Sequence, residues 1–327
     1  IKQNFKQELV LQMNEDSDYV SILGNVRGVY PSKVLGRGLI KKDKIYEFQS
    51  AHPFHPERMS EYINIICEKL KSQAKVFADP VPTLPDIVRS ENINSRLKSI
   101  DMIPLGIDKN TLAISSWDFK NNVETTISAL EIENMSFFLN PFINQFNNLD
   151  CTMFVFDALE AVDNSDFSKN IIYLNEGFNK VLESIHTNLK NQYDAYVKSN
   201  YNKSTLEKVK PGILMIIGIE ELLNKLNDDN KKKYEEVMKF TESIQTLKII
   251  LVDTVDIFKK IEYDNWYKMV AKNSQGIWLG NGIAEQYALK ITKVTRELQQ
   301  DVPKTFGYII RRGNANLTKF LSSIEEE

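Results

Sequence analysis

The runs CTMFVF at residues 151–156, GILMII at 212–217 and LKIILV at 247–252 decide the fold class. Each is short and bounded by polar or turn-forming residues. A strand with apolar side chains on both faces is buried on both faces. That is the condition of a parallel sheet covered by helices, not of a half-exposed antiparallel sheet. Segments of helical character separate or follow these runs, at 134–147, 175–199, 218–226, 230–243 and 263–270. Further strands are expected at 101–105, 111–116, 124–128, 276–279 and 305–310. Strand and helix alternate over more than half of the chain, which predicts a doubly wound α/β domain over residues 100–327.

Upstream the pattern changes. Residues 6–13 (KQELVLQM) alternate as a strand does, and Asp16-Ser17-Asp18 offers a helix start. Two short strands flank Lys42-Asp43-Lys44. Residues 57–72 place Met59, Tyr62, Ile63, Ile66 and Leu70 at helical spacing. Pro80, Pro82 and Pro85 then exclude a helix or central strand and predict an extended linker. The expected organisation is a terminal segment at 1–50, a helix and proline-rich linker at 51–99, and the main domain. GLIKKDKIYEF at 38–48 is echoed by GYIIRRGNANLTKF at 307–320: glycine, an apolar pair, two basic residues, a turn, and a strand ending in Phe. The echo points to a repeated module whose first copy is present only as its tail.

The 327 residues carry 41 Lys and Arg against 44 Asp and Glu, a net charge of −3. With no basic excess, the charge balance argues against a nucleic-acid-coating function. No apolar run has the roughly 18 residues of a membrane span. The first residue is Ile1, without a leader-like stretch, so the chain reads as a piece of a longer protein. Two cysteines, Cys67 and Cys151, supply neither a disulfide framework nor a four-thiolate zinc site. His52 and His55 flank prolines without an acidic or thiol cluster, and read as a stiffened connector rather than a metal site.

In a doubly wound sheet the ligand sits beyond the carboxyl ends of the strands. A phosphate loop there follows G-x-x-x-x-G-K-[ST], with glycines to turn N–H groups on phosphate and a Lys to meet its charge. Residues 129–136 (ALEIENMS) put Ala129 and Asn134 at the glycines, Met135 at the Lys and Ser136 at the hydroxyl. Glu131 and Glu133 add negative charge. The acidic strand end that would hold magnesium falls at Ile217 and Gly218. Glu220 and Glu221 come only afterwards, on the expected helix. This degenerate site is not expected to catalyse hydrolysis, and no resident metal is expected.

LGRGLIKKDKIYEFQSA resembles the closing segment of an FtsK/SpoIIIE-type ATPase module, and IPLGIDKNTL the opening of the next. VDTVDIFKKIEYDNWYK, QGIWLGNGIAEQYALKI and FGYIIRR resemble the last ATPase module of the EssC family, the coupling ATPases of Gram-positive type VIIb secretion. The resemblance implies a RecA-like P-loop NTPase fold with a mainly parallel sheet covered by helices on both faces. It also implies a cytoplasmic module of a membrane-anchored motor, touching the membrane only through upstream segments. The implied partners are small helical-hairpin substrates, recognised by a C-terminal signal, and neighbouring modules of the same chain in an oligomer. Trp266, Tyr267, Trp278, Tyr287 and Phe306 are candidate pocket residues, since aromatic side chains anchor peptide recognition. The leading expectation is recognition and assembly without hydrolysis. A first alternative is weak ATP and magnesium binding as a structural ligand, through backbone N–H groups at 129–136. A second is a DNA-translocating motor, which the charge balance disfavours.

Overall fold

The computed structural model describes residues 7–51, 55–74, 81–93, 97, 99–271 and 275–322. The chain divides into two compact units at Val81/Pro82, inside the proline-rich stretch. His52, Pro80 and the rest of 75–80 lie outside the described residues.

The first unit is a three-stranded antiparallel sheet, β1 (Glu8–Leu11), β2 (Arg37–Lys41) and β3 (Ile45–Gln49), with helix α1 (Asp16–Leu23) on it. Val10, Tyr19, Leu23, Val26 and Leu39 form its core. The strand expected at 6–13 is thus shorter, and the expected hairpin around Asp43 is β2–β3. Helix α2 (Met59–Gln73) also forms as its periodicity predicts, yet none of its described side chains is buried.

The second unit contains one ten-stranded sheet. Its strands are β4 (Met102–Asp108), β5 (Ile114–Asp118), β6 (Glu124–Ala129), β7 (Thr152–Asp157), β8 (Ile171–Leu174), β9 (Gly212–Ile217), β10 (Leu247–Thr254), β11 (Gly276–Leu279), β12 (Phe306–Arg311) and β13 (Asn314–Phe320). Their order is β5-β4-β13-β12-β11-β6-β10-β9-β7-β8. The stretch from β11 to β8 is parallel throughout, and the three deciding runs are adjacent in it as β10, β9 and β7. The β12–β13 and β4–β5 hairpins extend the sheet antiparallel.

Helix α3 (Ser90–Ile93) precedes the sheet. One face of the sheet is covered by α4 (Ser136–Asn144), which buries Phe137, Phe138, Leu139 and Phe142. The other carries α5 (Phe178–Lys198), α6 (Ile219–Lys225), α7 (Asp228–Ile244), α8 (Val255–Ile261) and α9 (Asn265–Val270). Strand β8 and helix α8 were not expected. Each is a single short piece, four and seven residues, too short to show a period. Residues 82–99 belong with the second unit rather than with a linker. Val88 is fully buried, bridges Leu321, and accepts a bond from Ser322 N–H at 3.1 Å.

The sequence echo has a structural counterpart. Leu11 pairs with Gly38 and Val10 with Leu39, as Leu279 pairs with Gly307 and Trp278 with Tyr308. A Cβ on Gly38 would lie 2.4 Å from the Val10 carbonyl oxygen and 2.8 Å from the Phe48 ring. One on Gly307 would lie 2.1 Å from the Trp278 oxygen and 2.8 Å from Phe320. In both, a strand and the terminal Phe of the hairpin press on one glycine, where no side chain fits.

Candidate functional site

The carboxyl ends of β11, β6, β10, β9 and β7 form one edge of the sheet, where a doubly wound fold places its ligand. The connector from β6 to α4 is where a phosphate loop would lie. It is built differently. After Ala129, which is fully buried, residues 132–134 make a single 3₁₀ turn. Met135 N–H is spent on Ile132 O at 2.8 Å, and Met135 O accepts from Phe138 and Leu139. No residue from 129 to 136 has a positive φ. Without left-handed residues the N–H groups do not converge into an anion nest. The Met135 side chain is fully buried among the α4 phenylalanines. The position that aligns with the phosphate-binding Lys therefore faces the core. Ser136 is exposed, its hydroxyl donating to Glu133 O at 3.2 Å. Glu131 and Glu133 are exposed.

Two strands along, Ile217 ends β9 fully buried, and Gly218 follows with φ 86°. A Cβ there would meet Leu159 at 2.8 Å, so glycine is required by space and by backbone. Glu220 and Glu221 sit in the first turn of α6, as expected. Glu220 pairs with Lys260 at 2.7 Å.

Sequence reading did not single out two acids at the ends of β10 and β7, the strands on either side of β9. Asp253 is the penultimate residue of β10 and is 3% exposed. Its Oδ2 accepts from Ile219 N–H at 2.7 Å and its Oδ1 from Thr254 N–H at 2.8 Å. Burial raises its pKa to about 6, against those two bonds, and Glu221 and Glu220 push the same way. Asp157 closes β7, fully buried. Its oxygens accept from the N–H groups of Leu159, Ala161 and Val162 and from the Tyr173 hydroxyl. Both carboxylates are committed to backbone, Asp253 pinning the start of α6 and Asp157 the loop after β7. An Asp directly after an apolar run was the signal that could have found them. Among the described residues no group of three His, Cys, Asp or Glu could hold a metal ion, and no helix is long and apolar enough to cross a membrane.

The five aromatic candidates are not gathered in one place. Trp266 and Tyr267 of α9 pack into the core under α7, with Tyr234 5.1 Å from Trp266. Trp278 is fully buried in a separate cluster with Leu298, Tyr308 and Ile310. Tyr287 lies on the surface, its ring under Lys259 and its hydroxyl donating to Asp256. Phe306 lines a cleft. This cleft has a volume of 670 Å³ and lies between the 293–303 loop and the β12–β13 hairpin, with Leu298, Val302 and Tyr308. Lys109 and Lys319 stand over the Phe306 ring at 5.9 and 5.3 Å. Phe306 thus borders an open, ligand-sized concavity.

No family model matches the chain, and no curated protein matches it. Solved structures do. The EssC ATPases 2 and 3 from Geobacillus thermodenitrificans superpose with a TM-score of 0.77 at 16% identity, over 98% of this chain and 61% of that one. The cytoplasmic domain of the type VII secretion ATPase EccC from Thermomonospora curvata gives 0.57 at 17% identity, over 90% and 35%. EccC ATPases 2 and 3 from the same organism, in complex with a signal sequence peptide, give 0.55 at 18%, over 90% and 54%. The chain spans about three-fifths of the EssC structure. At these identities the likeness is one of fold: a mixed α/β fold with a central sheet, largely parallel, covered by helices, shared with those ATPase structures.

Proposed function

We propose that the second unit is a recognition and assembly module of a type VII secretion motor that does not itself hydrolyse ATP. The observation that carries this reading is the β6–α4 connector. Met135 fills the core where a phosphate loop presents a cation, and the nearby strand-end acids hold backbone instead of magnesium. Phosphoryl transfer needs convergent N–H donors, a Lys and a metal to offset the charge of the triphosphate. Among the described residues the β6–α4 connector offers neither convergent donors nor a Lys, and Lys260 at this edge is paired with Glu220.

On this reading the first unit is the closing segment of a preceding module of the same type. The matching glycine registers support it, as does the outer edge of β1. There Leu9 and Leu11 are 57% and 52% exposed, whereas β11 pairs on that side with β6. The parent protein is a membrane-anchored motor with its modules in the cytoplasm, assembled through neighbouring modules. Its cargo is a small helical-hairpin protein. We assign the cleft at Phe306 to the cargo's C-terminal signal, whose apolar side chains would meet Phe306 and Leu298. The likeness to a signal-peptide complex supports that assignment.

The test has two arms. Steady-state phosphate release by the purified chain should stay at the uncatalysed background with magnesium and ATP. Turnover comparable to an FtsK-type motor overturns the reading, and saturable ATP binding without turnover favours a structural nucleotide instead. A labelled signal peptide should bind, and Phe306→Ala should weaken it at least tenfold. Tight salt-dependent binding of duplex DNA would favour a translocating motor.

A further inference from the structure

Of the three apolar runs CTMFVF, GILMII and LKIILV, only LKIILV holds a charged residue, Lys248. It is the second residue of β10, at the amino-terminal edge of the parallel strands, opposite the edge where Asp253 lies. Lys248 is 7% exposed. Buried lysines are ordinarily paired. Lys248 has no hydrogen bond or ion pair to any described residue, and its nitrogen is not among the enclosed unpartnered atoms. Burial lowers its pKa, opposed only through space by Asp101 and Asp118. Asp118 is itself engaged by Asn121, at 3.0 Å from the N–H and 2.7 Å from the side-chain amide.

Lys248 lines a cleft of 410 Å³ at this edge. Lys120 and Lys203 stand at its exposed rim, as do Asp101 and Glu207. Asp101, Glu207 and the nearby Asp118 offset these lysines in number, and Lys248 is the one buried charge in the wall. The wall also includes Tyr196, Leu206 and Ile244. Helix α7 ends here, Gln245 turning left-handed and donating its N–H back to Thr241 O. The carbonyl end of that helix favours the protonated ammonium but carries only a partial charge. A buried cation with no hydrogen-bonded partner among the described residues, in a concavity of ligand size with apolar walls, calls for an anion. One buried ammonium among balanced rim charges suits a single carboxylate better than a phosphate dianion or a nucleotide.

We propose that this cleft binds a monoanionic organic carboxylate with an apolar or aromatic body, its carboxylate meeting Lys248. The site is remote from the β6–α4 connector and rests on no part of the function proposed above. The probe is 4-phenylbutyrate, titrated calorimetrically into the purified chain beside 4-phenylbutyramide and inorganic phosphate. The carboxylate should bind at least tenfold tighter than either, and it should shield Lys248 from acetylation by an N-hydroxysuccinimide ester, read by peptide mass spectrometry. Lys248→Met, which places an apolar chain of similar length in the same space, should abolish the preference for carboxylate over amide. Lys248→Arg should retain it. Equal binding of carboxylate and amide, a preference for phosphate, an unchanged preference in Lys248→Met, or no binding at millimolar concentration each overturns the proposal.

Discussion

Glu124→Gln should make the second unit more stable, and by an amount that grows with pH. Glu124 opens β6 and is 7% exposed. Its Oε1 accepts from the Thr126 hydroxyl at 2.7 Å. That single bond favours the charged form, but desolvation outweighs it and raises the pKa from 4.5 to about 8. The folded unit therefore holds this proton at neutral pH, while the unfolded chain releases it. A raised folded pKa contributes stability that is fully present below 4.5 and is lost as pH climbs through 8. One pKa unit is worth about 1.4 kcal/mol. At pH 7 the Glu124 proton therefore costs about 3 kcal/mol relative to a side chain that never ionises. Gln is such a side chain, and its amide oxygen accepts from Thr126 as the carboxyl does. The gap between variant and wild type should widen by about 3 kcal/mol between pH 5 and 7.5. All three tryptophans, Trp117, Trp266 and Trp278, lie in the second unit. Urea unfolding followed by tryptophan fluorescence therefore reports on this unit alone. A gap constant with pH would refute the reasoning, whatever its absolute size.

Three further outcomes are expected. Met135→Lys, which restores the motif on paper, should cost about 3 kcal/mol or more in the same urea assay and gain no ATP affinity by calorimetry, because it buries an unpaired charge. Asp253→Asn should cost about 1–3 kcal/mol, since one of the Ile219 and Thr254 N–H groups then loses its acceptor. It should also remove the loss of stability that wild type shows as pH rises from the ordinary aspartate range through about 6. Gly307→Ala should destabilise by about 3 kcal/mol, its methyl driven onto the Trp278 carbonyl, with the shift visible in a thermal melt.

The apolar runs at 151–156, 212–217 and 247–252 by themselves determined that a buried parallel sheet would form. Burial on both faces is a local property, written into six consecutive residues. The echo of Gly38 in Gly307 was legible for a similar reason, because each glycine reports a close approach within its own hairpin. The absence of a phosphate-loop lysine was equally plain. Side-chain destinations were not. Met135 and Met215 look alike in sequence, but the one occupies the aligned cation position and the other a strand interior, and both end in the same core. The aromatic candidates are clustered along the chain between 266 and 306, yet the return of β11 beside β6 sends them to separate cores and surfaces. Asp253 could be read as a strand-end acid, but not as the anchor of α6. Its partner Ile219 is 34 residues away and meets it only because β9 and β10 lie side by side. Strand order brings residues together across tens of positions, and it is fixed by the packing of whole elements. Tertiary structure alone therefore decided which charges are committed, as at Asp253, and which are left open, as at Lys248.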